Sequence, residues 1–396
     1  MSGFHRIIHA LGFPLDFNGN LTRVLGEAIH VAKLGYGVEV LVADYVPKEN
    51  LNRAIKNKVD VRLLKAMVPW RDIGWRVNNI VPLYIGAKRV VSACENGILH
   101  VSAPTPVTKP LTVTEVGKRS KTPIVLDLHD PWSAEPFSRR LFPMLQTRIM
   151  KRVIDSADHV LVAHTALLSL IKKVNPNKPV DLIPNGVDTE LFKPKPPSLQ
   201  AAEKIGLTGD ESVVAFSGHI MEHKGLDTLI AAAQIVSKQH HNVKFLIIGD
   251  GPQRREVESM VNRMGLSDRF VFTGFVSQEE MQEYLLLADV CVAPYKQMAY
   301  FKISLPETPM KAVEYMALGK PVVMSRISDE NVISWSGGGI LTEPDNVKEF
   351  ASKILVLIED ETLRKTMGEK GRKYVEANLS WTKIAKKLDE IYRSTG

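Results

Sequence analysis

The chain has 396 residues, 44% apolar and 24% charged, and its 51 Lys and Arg against 44 Asp and Glu give a net charge of +7. This length exceeds what one ordinary core supports, and the mixture is that of a globular protein, so two folded domains are expected and disordered or fibrous classes are excluded. Two distant cysteines, Cys94 and Cys291, offer no disulfide framework, no run approaches the ~18 uncharged apolar residues of a spanning helix, and the N-terminus lacks a signal-peptide pattern, so a cytosolic location is expected.

The charge is uneven. Residues 1–185 hold 25 Lys and Arg against 15 Asp and Glu, a surplus of +10, whereas the remainder holds 26 against 29, or −3. The basic half calls for an anionic partner or surface: nucleic acid, membrane phospholipid and a lipid phosphate all qualify.

In chain order, Arg6–Leu11, Val38–Ala43, Val59–Leu64, Ile124–Leu128 and His159–Ala163 read as strands, with helical segments at Leu21–Leu34 and Arg139–Asp155. The rhythm repeats at Ser212–Ser217, Val243–Gly249, Arg269–Thr273, Asp289–Ala293 and Pro321–Met324. Alternation of this kind implies parallel sheets with helices on both faces, so two doubly wound α/β domains are expected. Lys193-Pro-Lys-Pro-Pro197, preceded by Ile183-Pro-Asn-Gly-Val-Asp188, breaks both periods and reads as the linker, a surface loop within one larger domain being the alternative. Trp381–Tyr392 is an amphipathic helix beyond the last strand, suited to packing back on the first domain. The expected division is 1–185, 186–375 and a C-terminal helical segment 376–396.

Residues 307–320 carry the sharpest chemical signal. Thr308 suits an N-cap, Pro309 the first helical position and Gly319 the stop before a buried strand. The N–H groups of Met310 and Lys311 would then face outward at the positive helix end as an anion site, with Glu314 about one turn further in to accept from sugar hydroxyls. A plain amphipathic helix with a solvated Glu is the alternative. Gly249-Asp-Gly251-Pro252 closes a strand and opens a helix, where missing side chains let a ligand approach. It is not a dinucleotide fingerprint, because the third glycine is absent.

With these pieces in place, the chain resembles the retaining nucleotide-sugar glycosyltransferases of the GT-B fold, family 4. The resemblance rests on Ile183-Pro-Asn-Gly-Val-Asp188, Phe216-Ser-Gly-His-Ile-Met-Glu-His-Lys-Gly225, Leu246-Ile-Ile-Gly-Asp-Gly-Pro252, Phe272-Thr-Gly-Phe-Val276 and Glu314-Tyr-Met-Ala-Leu-Gly-Lys-Pro-Val-Val323. Asp127-Leu-His-Asp-Pro-Trp132 is similar to the branch acting on lipid-linked or cell-envelope glycans. The resemblance implies two Rossmann-like domains facing an interdomain cleft.

It also implies roles. Lys224 stands where the family's Lys grips the donor diphosphate, while His219 takes the place of an Arg, exchanging a bidentate fork for one ring N–H and making the grip weaker or pH-dependent. Gly249 and Gly251 would border the nucleotide, and Phe275 and Val276 the base. A second family Glu, eight positions before the ribose-binding one, falls here on Pro306; Glu307 fills that role by a local shift, or the role is vacant. Lys311 replaces a usual Thr and places a charge beside the phosphates. Asn18 and Gly19, in the turn before the first helix, resemble the glycine-rich turn over the diphosphate. His129 and Asp130 resemble the position near the anomeric carbon, where one of them orients the acceptor or takes its proton, with the departing phosphate a rival base.

No Asp-x-Asp occurs, so neither metal nor cofactor is expected; cationic side chains and helix N–H groups would carry the leaving-group charge. Expected partners are a nucleoside-diphosphate sugar, a UDP-sugar first, and a sugar or lipid-linked acceptor, without nucleic acid. Leu63–Arg76 and Arg139–Arg152 mix basic and apolar residues, so peripheral contact with an anionic membrane is a further expectation, solvated faces of core helices being the alternative. A nicotinamide oxidoreductase is disfavoured because Gly-x-Gly-x-x-Gly is missing, and a basic nucleic-acid binder leaves the second-half motifs unexplained. A non-hydrolysing sugar-nucleotide epimerase of the same fold remains the nearest rival.

Overall fold

A computed structural model describes residues 6–11, 18–42, 48–63, 88, 97–102, 108–129, 143–297, 308–328 and 331–395. The chain divides into two compact units, Met1–Gly186 together with Trp381–Gly396, and Val187–Ser380.

The first unit runs β1 (Arg6–Leu11), α1 (Asn18–Ala32), β2 (Gly37–Val42), α2 (Lys48–Lys56), β3 (Val59–Leu63), β4 (Gly97–Ser102), α3 (Thr108–Arg119), β5 (Ile124–Leu128), α4 (Pro143–Ser156), β6 (His159–Val162), α5 (Thr165–Val174) and β7 (Val180–Leu182). Its strands form one parallel sheet in the order β3-β2-β1-β4-β5-β6-β7. Side chains alternate across such a sheet, and the two faces differ in chemistry. Ile8, Ala10, Leu99, Val101, Leu126 and Leu128 point to an apolar face packed with Met150, Val153 and Ile154 of α4. The opposite face carries His9 and His100, paired in register, and Asp127, in register with Ser102.

The second unit runs α6 (Leu199–Lys204), β8 (Ser212–Ser217), α7 (Leu226–Gln239), β9 (Val243–Ile248), α8 (Arg254–Arg263), β10 (Phe270–Gly274), α9 (Gln278–Leu286), β11 (Val290–Ala293), α10 (Met310–Ala317), β12 (Val322–Ser325), α11 (Val332–Ser336), β13 (Gly339–Thr342), α12 (Val347–Glu359) and α13 (Glu361–Asn378). The parallel order β10-β9-β8-β11-β12-β13 reverses direction between β8 and β11, the place where doubly wound sheets bind ligands at strand carboxyl ends. Strands buried on both faces explain the unbroken apolar runs Val213–Phe216 and Phe245–Ile248. The last helix, α14 (Trp381–Thr395), belongs to the first unit and packs on α1. Gly26 of α1 permits this approach, because a Cβ there would lie 2.3 Å from the Trp381 ring.

Three strands lie outside the expected set: β4, β7 and β13. The Pro-rich stretch Lys193–Pro197 is also not where the units part. The chain crosses between Gly186 and Val187. Phe192 is already buried in the second core, and Arg372 donates to the Thr189 carbonyl at 3.1 Å, to the Phe192 carbonyl at 2.5 Å and to the Ala317 carbonyl at 2.6 Å. Pro194 lies against Gly319. These contacts hold the Pro-rich stretch on the second unit.

Candidate functional site

In the second unit, the carboxyl ends of β8, β9 and β11 meet the N-terminus of α10. After β8 the chain turns through Gly218, a short 3-10 turn over Glu222–Lys224, and Gly225, which adopts a left-handed φ of 68°. Gly218 and Gly249 hold φ values of 127° and 135°, and a Cβ on Gly249 would lie 2.2 Å from the Gly218 carbonyl oxygen. Glycine at both positions lets the two turns touch and removes side chains from the site's floor. The Gly251 turn closes on the same segment: Ile220 N–H donates to the Asp250 carbonyl at 2.9 Å, and Asp250 accepts from Gly251 N–H at 2.7 Å and from Arg254 at 2.9 Å.

Helix α10 begins one residue later than the sequence predicts. Pro309, with ψ of 130°, is the N-cap and makes no side-chain cap bond. Thr308 therefore lies one residue ahead of the N-cap position that the sequence assigns to it. The first N–H bonded back within the turn is that of Ala312, to the Pro309 carbonyl at 3.0 Å. The amides of Met310 and Lys311 precede it at the positive end of the dipole. The C-terminus ends as expected: Gly319 has φ of 71°, Gly319 N–H donates to the Met316 carbonyl at 2.9 Å and Lys320 N–H to the Tyr315 carbonyl at 3.0 Å.

Lys311 is the most telling residue here. It is 7% exposed, and its Nζ has no hydrogen-bond partner among the described residues. The Nζ lies 3.7 Å from the Phe216 ring centroid and 5.6 Å from that of Tyr295, and Lys224 Nζ approaches the same Tyr295 ring at 5.1 Å. Burial, then Lys224, push the Lys311 amine well below its ordinary value, against the pull of Glu314. Glu314, 9% exposed, is raised to about 7 by burial, with Lys311 opposing. Both side chains therefore move towards their uncharged forms. His223 is lowered to about 3 by burial, Lys224, Lys311 and His219, and His219 is lowered by burial and Lys224. Four basic groups thus crowd one turn and one helix end, and Lys224 suppresses the charge of the other three. A bound dianion would reverse that suppression, because opposite charge at close range favours the cationic forms.

In the first unit, Arg23 of α1 is 1% exposed and forks onto Asp127, Nε to Oδ2 at 3.0 Å and Nη2 to Oδ1 at 3.1 Å. The same guanidinium donates to the carbonyls of Ile183 at 3.0 Å and Pro184 at 3.1 Å, which fixes the Ile183-Pro-Asn-Gly motif. His129 donates from Nε2 to Asp127 Oδ2 at 2.6 Å, while its buried Nδ1 has no partner among the described residues. Burial pulls the Asp127 carboxyl upward, but Arg23 and His129 outweigh it and hold it well below the usual carboxylate range. Asp127 is thus an anion that fixes the His129 proton on Nε2 and leaves Nδ1 as an acceptor.

The structure gathers His219, Lys224, Gly249, Gly251, Met310, Lys311 and Glu314 around one corner of the second unit. Val276 packs beside that unit's core, whereas Phe275 is 70% exposed. Asn18 and Gly19 are the first residues of α1, not a turn ahead of it. Asp130 and Glu307 lie outside the described residues, as do Leu64–Arg76 and Arg139–Phe142 of the basic segments. Among the described residues, no helix is long and apolar enough to cross a membrane. Sequence reading gave no part to Arg23, His100, Asp127, His223, Tyr295 or Tyr392. Only an Arg inside the otherwise apolar stripe of α1 hinted at the first of them.

Comparison with known proteins gives the family. The Glycosyltransferase Family 4 model matches residues 18–191 and the glycosyl transferases group 1 model matches residues 199–374. A GDP-mannose-dependent alpha-(1-6)-phosphatidylinositol monomannoside mannosyltransferase of Mycobacterium tuberculosis is 24% identical over 264 residues, 66% of each chain. An alpha-D-kanosaminyltransferase of Streptomyces kanamyceticus is 29% identical over 195 residues, 49% of this chain and 48% of that one. The chain thus spans about two thirds of the first relative's length and about half of the second's. The crystal structure of Anabaena HepE in complex with UDP superposes with a TM-score of 0.74 at 17% identity, over 98% of this chain and 100% of that one, a likeness of fold. With one family model over each half and a fold shared along its length, the chain belongs to the family 4 type of glycosyltransferases, in the GT-B fold.

Proposed function

We propose that the protein transfers a sugar from a nucleoside-diphosphate sugar to a hydroxyl on a lipid-linked or cell-envelope glycan, retaining the anomeric configuration. One observation carries the reading. A buried Lys311 Nζ, without a hydrogen-bond partner among the described residues, stands beside Lys224 at a helix N-terminus whose N-cap is Pro309, with Glu314 one turn along. An orphaned buried amine costs stability unless an anion arrives to pair with it.

Lys311, Lys224, His219 and the amides of Met310 and Lys311 hold the diphosphate, and Glu314 accepts from two ribose hydroxyls. Gly249 and Gly251 let the nucleotide approach the backbone, and Phe275 and Val276 border the base. Asn18 and Gly19 at the start of α1, and Glu307 near the donor sugar, keep the parts their family resemblance implies. Charge on the leaving diphosphate grows towards the transition state, so fixed cations there accelerate cleavage more than they tighten ground-state binding. The chemistry assigned to these groups needs neither metal nor cofactor. His129, through Nδ1, or Asp130 orients the acceptor hydroxyl or takes its proton, with a departing phosphate oxygen as the competing base.

UDP is the first nucleotide in this reading, supported by the UDP in the Anabaena structure; GDP is the second, because the mycobacterial relative carries GDP-mannose in its name. That name also includes a phosphatidylinositol mannoside, which supports a lipid-linked acceptor and action at the cytoplasmic membrane face. The test is product analysis with donor alone and with acceptor. Transfer predicts turnover only with acceptor and loss of about 100-fold or more in Glu314→Gln with an unchanged fold, consistent with a charged hydrogen bond of about 2–3 kcal/mol. Epimerised donor without acceptor, or normal turnover in the variant, would remove this assignment.

A further inference from the structure

Behind His129, the first unit buries a set of ionisable groups that the transfer reaction does not itself require. Asp127 is shared between Arg23, His129 and a third neighbour, His100, whose Nε2 stands 3.7 Å from Asp127 Oδ2 and 3.8 Å from Glu27 Oε2. On its other side, His100 Nδ1 meets the hydroxyl of Tyr392 at 2.7 Å. His9 stacks on the His100 ring, with centroids 4.3 Å apart and planes 26° from parallel. His9, His100, Asp127 and Tyr392 are each fully buried.

His9, Glu27 and His100 bring ligand-type atoms within 4.8 Å of one another, as a metal site would. The ring geometry argues otherwise. A metal lies in the plane of each imidazole that binds it, about 2.0–2.1 Å from the nitrogen, and near-parallel stacked rings have planes that meet only far beyond that distance. The stack instead fixes the orientation of His100.

That orientation sets a direction of hydrogen bonding. Nε2 of His100 faces the Asp127 carboxylate and Glu27, whose carboxyl is raised to about 8 by burial; the Asp127 charge draws the ring proton to Nε2, and Nδ1 then accepts from the Tyr392 hydroxyl. Burial keeps His100 towards neutral and the Tyr392 phenol protonated, which supplies one donor at each step. The order is Tyr392 hydroxyl to His100 Nδ1 at 2.7 Å, then His100 Nε2 facing Asp127 at 3.7 Å, a charge–dipole contact without a hydrogen bond, and Asp127 accepting from His129 at 2.6 Å.

We propose that Tyr392, near the end of the last helix, and His100 are positioning residues for His129, acting through Asp127 to hold its imidazole with Nδ1 presented as the acceptor. The inference rests on the reading of His129 as the group that meets the acceptor hydroxyl. Chain termini commonly tolerate change, yet here the final helix carries a hydroxyl that settles a tautomer in the middle of the sheet. Among the described residues, the charged and titratable groups facing this path are His9 on β1, Arg23 and Glu27 on α1, His100 on β4, Asp127 on β5 with His129 after it, and Tyr392 on α14. Tyr36 adjoins the Tyr392 ring and is tied to Asp389, itself paired with Arg393.

The test is Tyr392→Phe, which removes one oxygen and keeps the ring. Expected results are a three- to tenfold fall in kcat with donor KM within twofold of wild type. The kcat–pH profile should also shift, because without the hydroxyl the His100 ring is no longer held with its Nε2 facing Asp127. His100→Gln, which retains a donor near the Nε2 position, should restore part of the lost rate in the Tyr392→Phe background. An unchanged pH profile with intact folding, or a fall in kcat matched by a general loss of thermal stability with no profile shift, would overturn the proposal. If wild-type protein transfers no sugar at all, the functional reading fails first; if it transfers normally and Tyr392→Phe behaves as wild type, only this inference fails.

Discussion

The two charged regions of this molecule are built on opposite principles. Around Asp127 the charges are compensated within the protein: a guanidinium forks onto a carboxylate that also takes the His129 proton. Around Lys311 compensation is weaker: among the described residues, the carboxyl that pulls on its amine is Glu314, which burial pushes towards neutrality. A compensated cluster is a positioning device, stable in the absence of ligand. A weakly compensated one marks where an external anion completes the structure.

The largest effect that could break this contrast is Asp127→Asn. Removing its main anionic partner leaves Arg23 with Glu27, Nε to Oε1 at 3.1 Å, and the Ile183 and Pro184 carbonyls, at a cost of up to about 3–5 kcal/mol, or a fall in Tm of up to about 6–20 °C. The pH sign follows from the direction of the shift. A carboxyl held below its ordinary value stabilises the fold above that ordinary value, and the contribution is lost as pH falls through the depressed one. Thermal melts from neutral to acidic pH should therefore show the wild type losing this increment on the acid side and the variant lacking it throughout. A fall of only a degree or two would mean that the cluster is not compensated in the way described.

A smaller effect sharpens the other side. His219 is held neutral by burial and by Lys224, so a diphosphate that binds there draws a proton onto it. Binding that raises a pKa strengthens as pH falls. His219→Arg should accordingly bind UDP about tenfold more tightly at pH near 8, with the advantage shrinking towards pH 6, as titration calorimetry would measure. An advantage that does not change with pH would separate His219 from the diphosphate.

Much of the fold was legible because buried parallel strands write themselves as short apolar runs, as in Val213–Phe216 and Phe245–Ile248. The missed strands lack that signature: β4 is interrupted by His100, β7 is three residues long, and β13 begins at the end of a run of three glycines. The cluster at the N-terminus of α10 was legible for a related reason. Lys224, Gly249, Lys311 and Glu314 sit in short local motifs, where spacing along the chain determines position in space. The cluster behind His129 has no such code. His100 and Tyr392 are 292 positions apart and Arg23 and Asp127 are 104 apart, so only the folded sheet and the returning helix reveal them as neighbours.

The central claim is that Lys311 is a buried cation kept for a nucleotide's diphosphate. It is tested most directly by thermal melts of wild type and Lys311→Met, each with and without UDP, with GDP as the second ligand. The account predicts that the variant alone melts at the wild-type temperature or above it, since an unpaired buried amine gives way to an apolar chain of similar length. It also predicts that the ligand-induced rise, worth about 2.7 kcal/mol when ligand exceeds Kd a hundredfold, is largely lost. A variant that keeps the full nucleotide-induced rise would contradict the account.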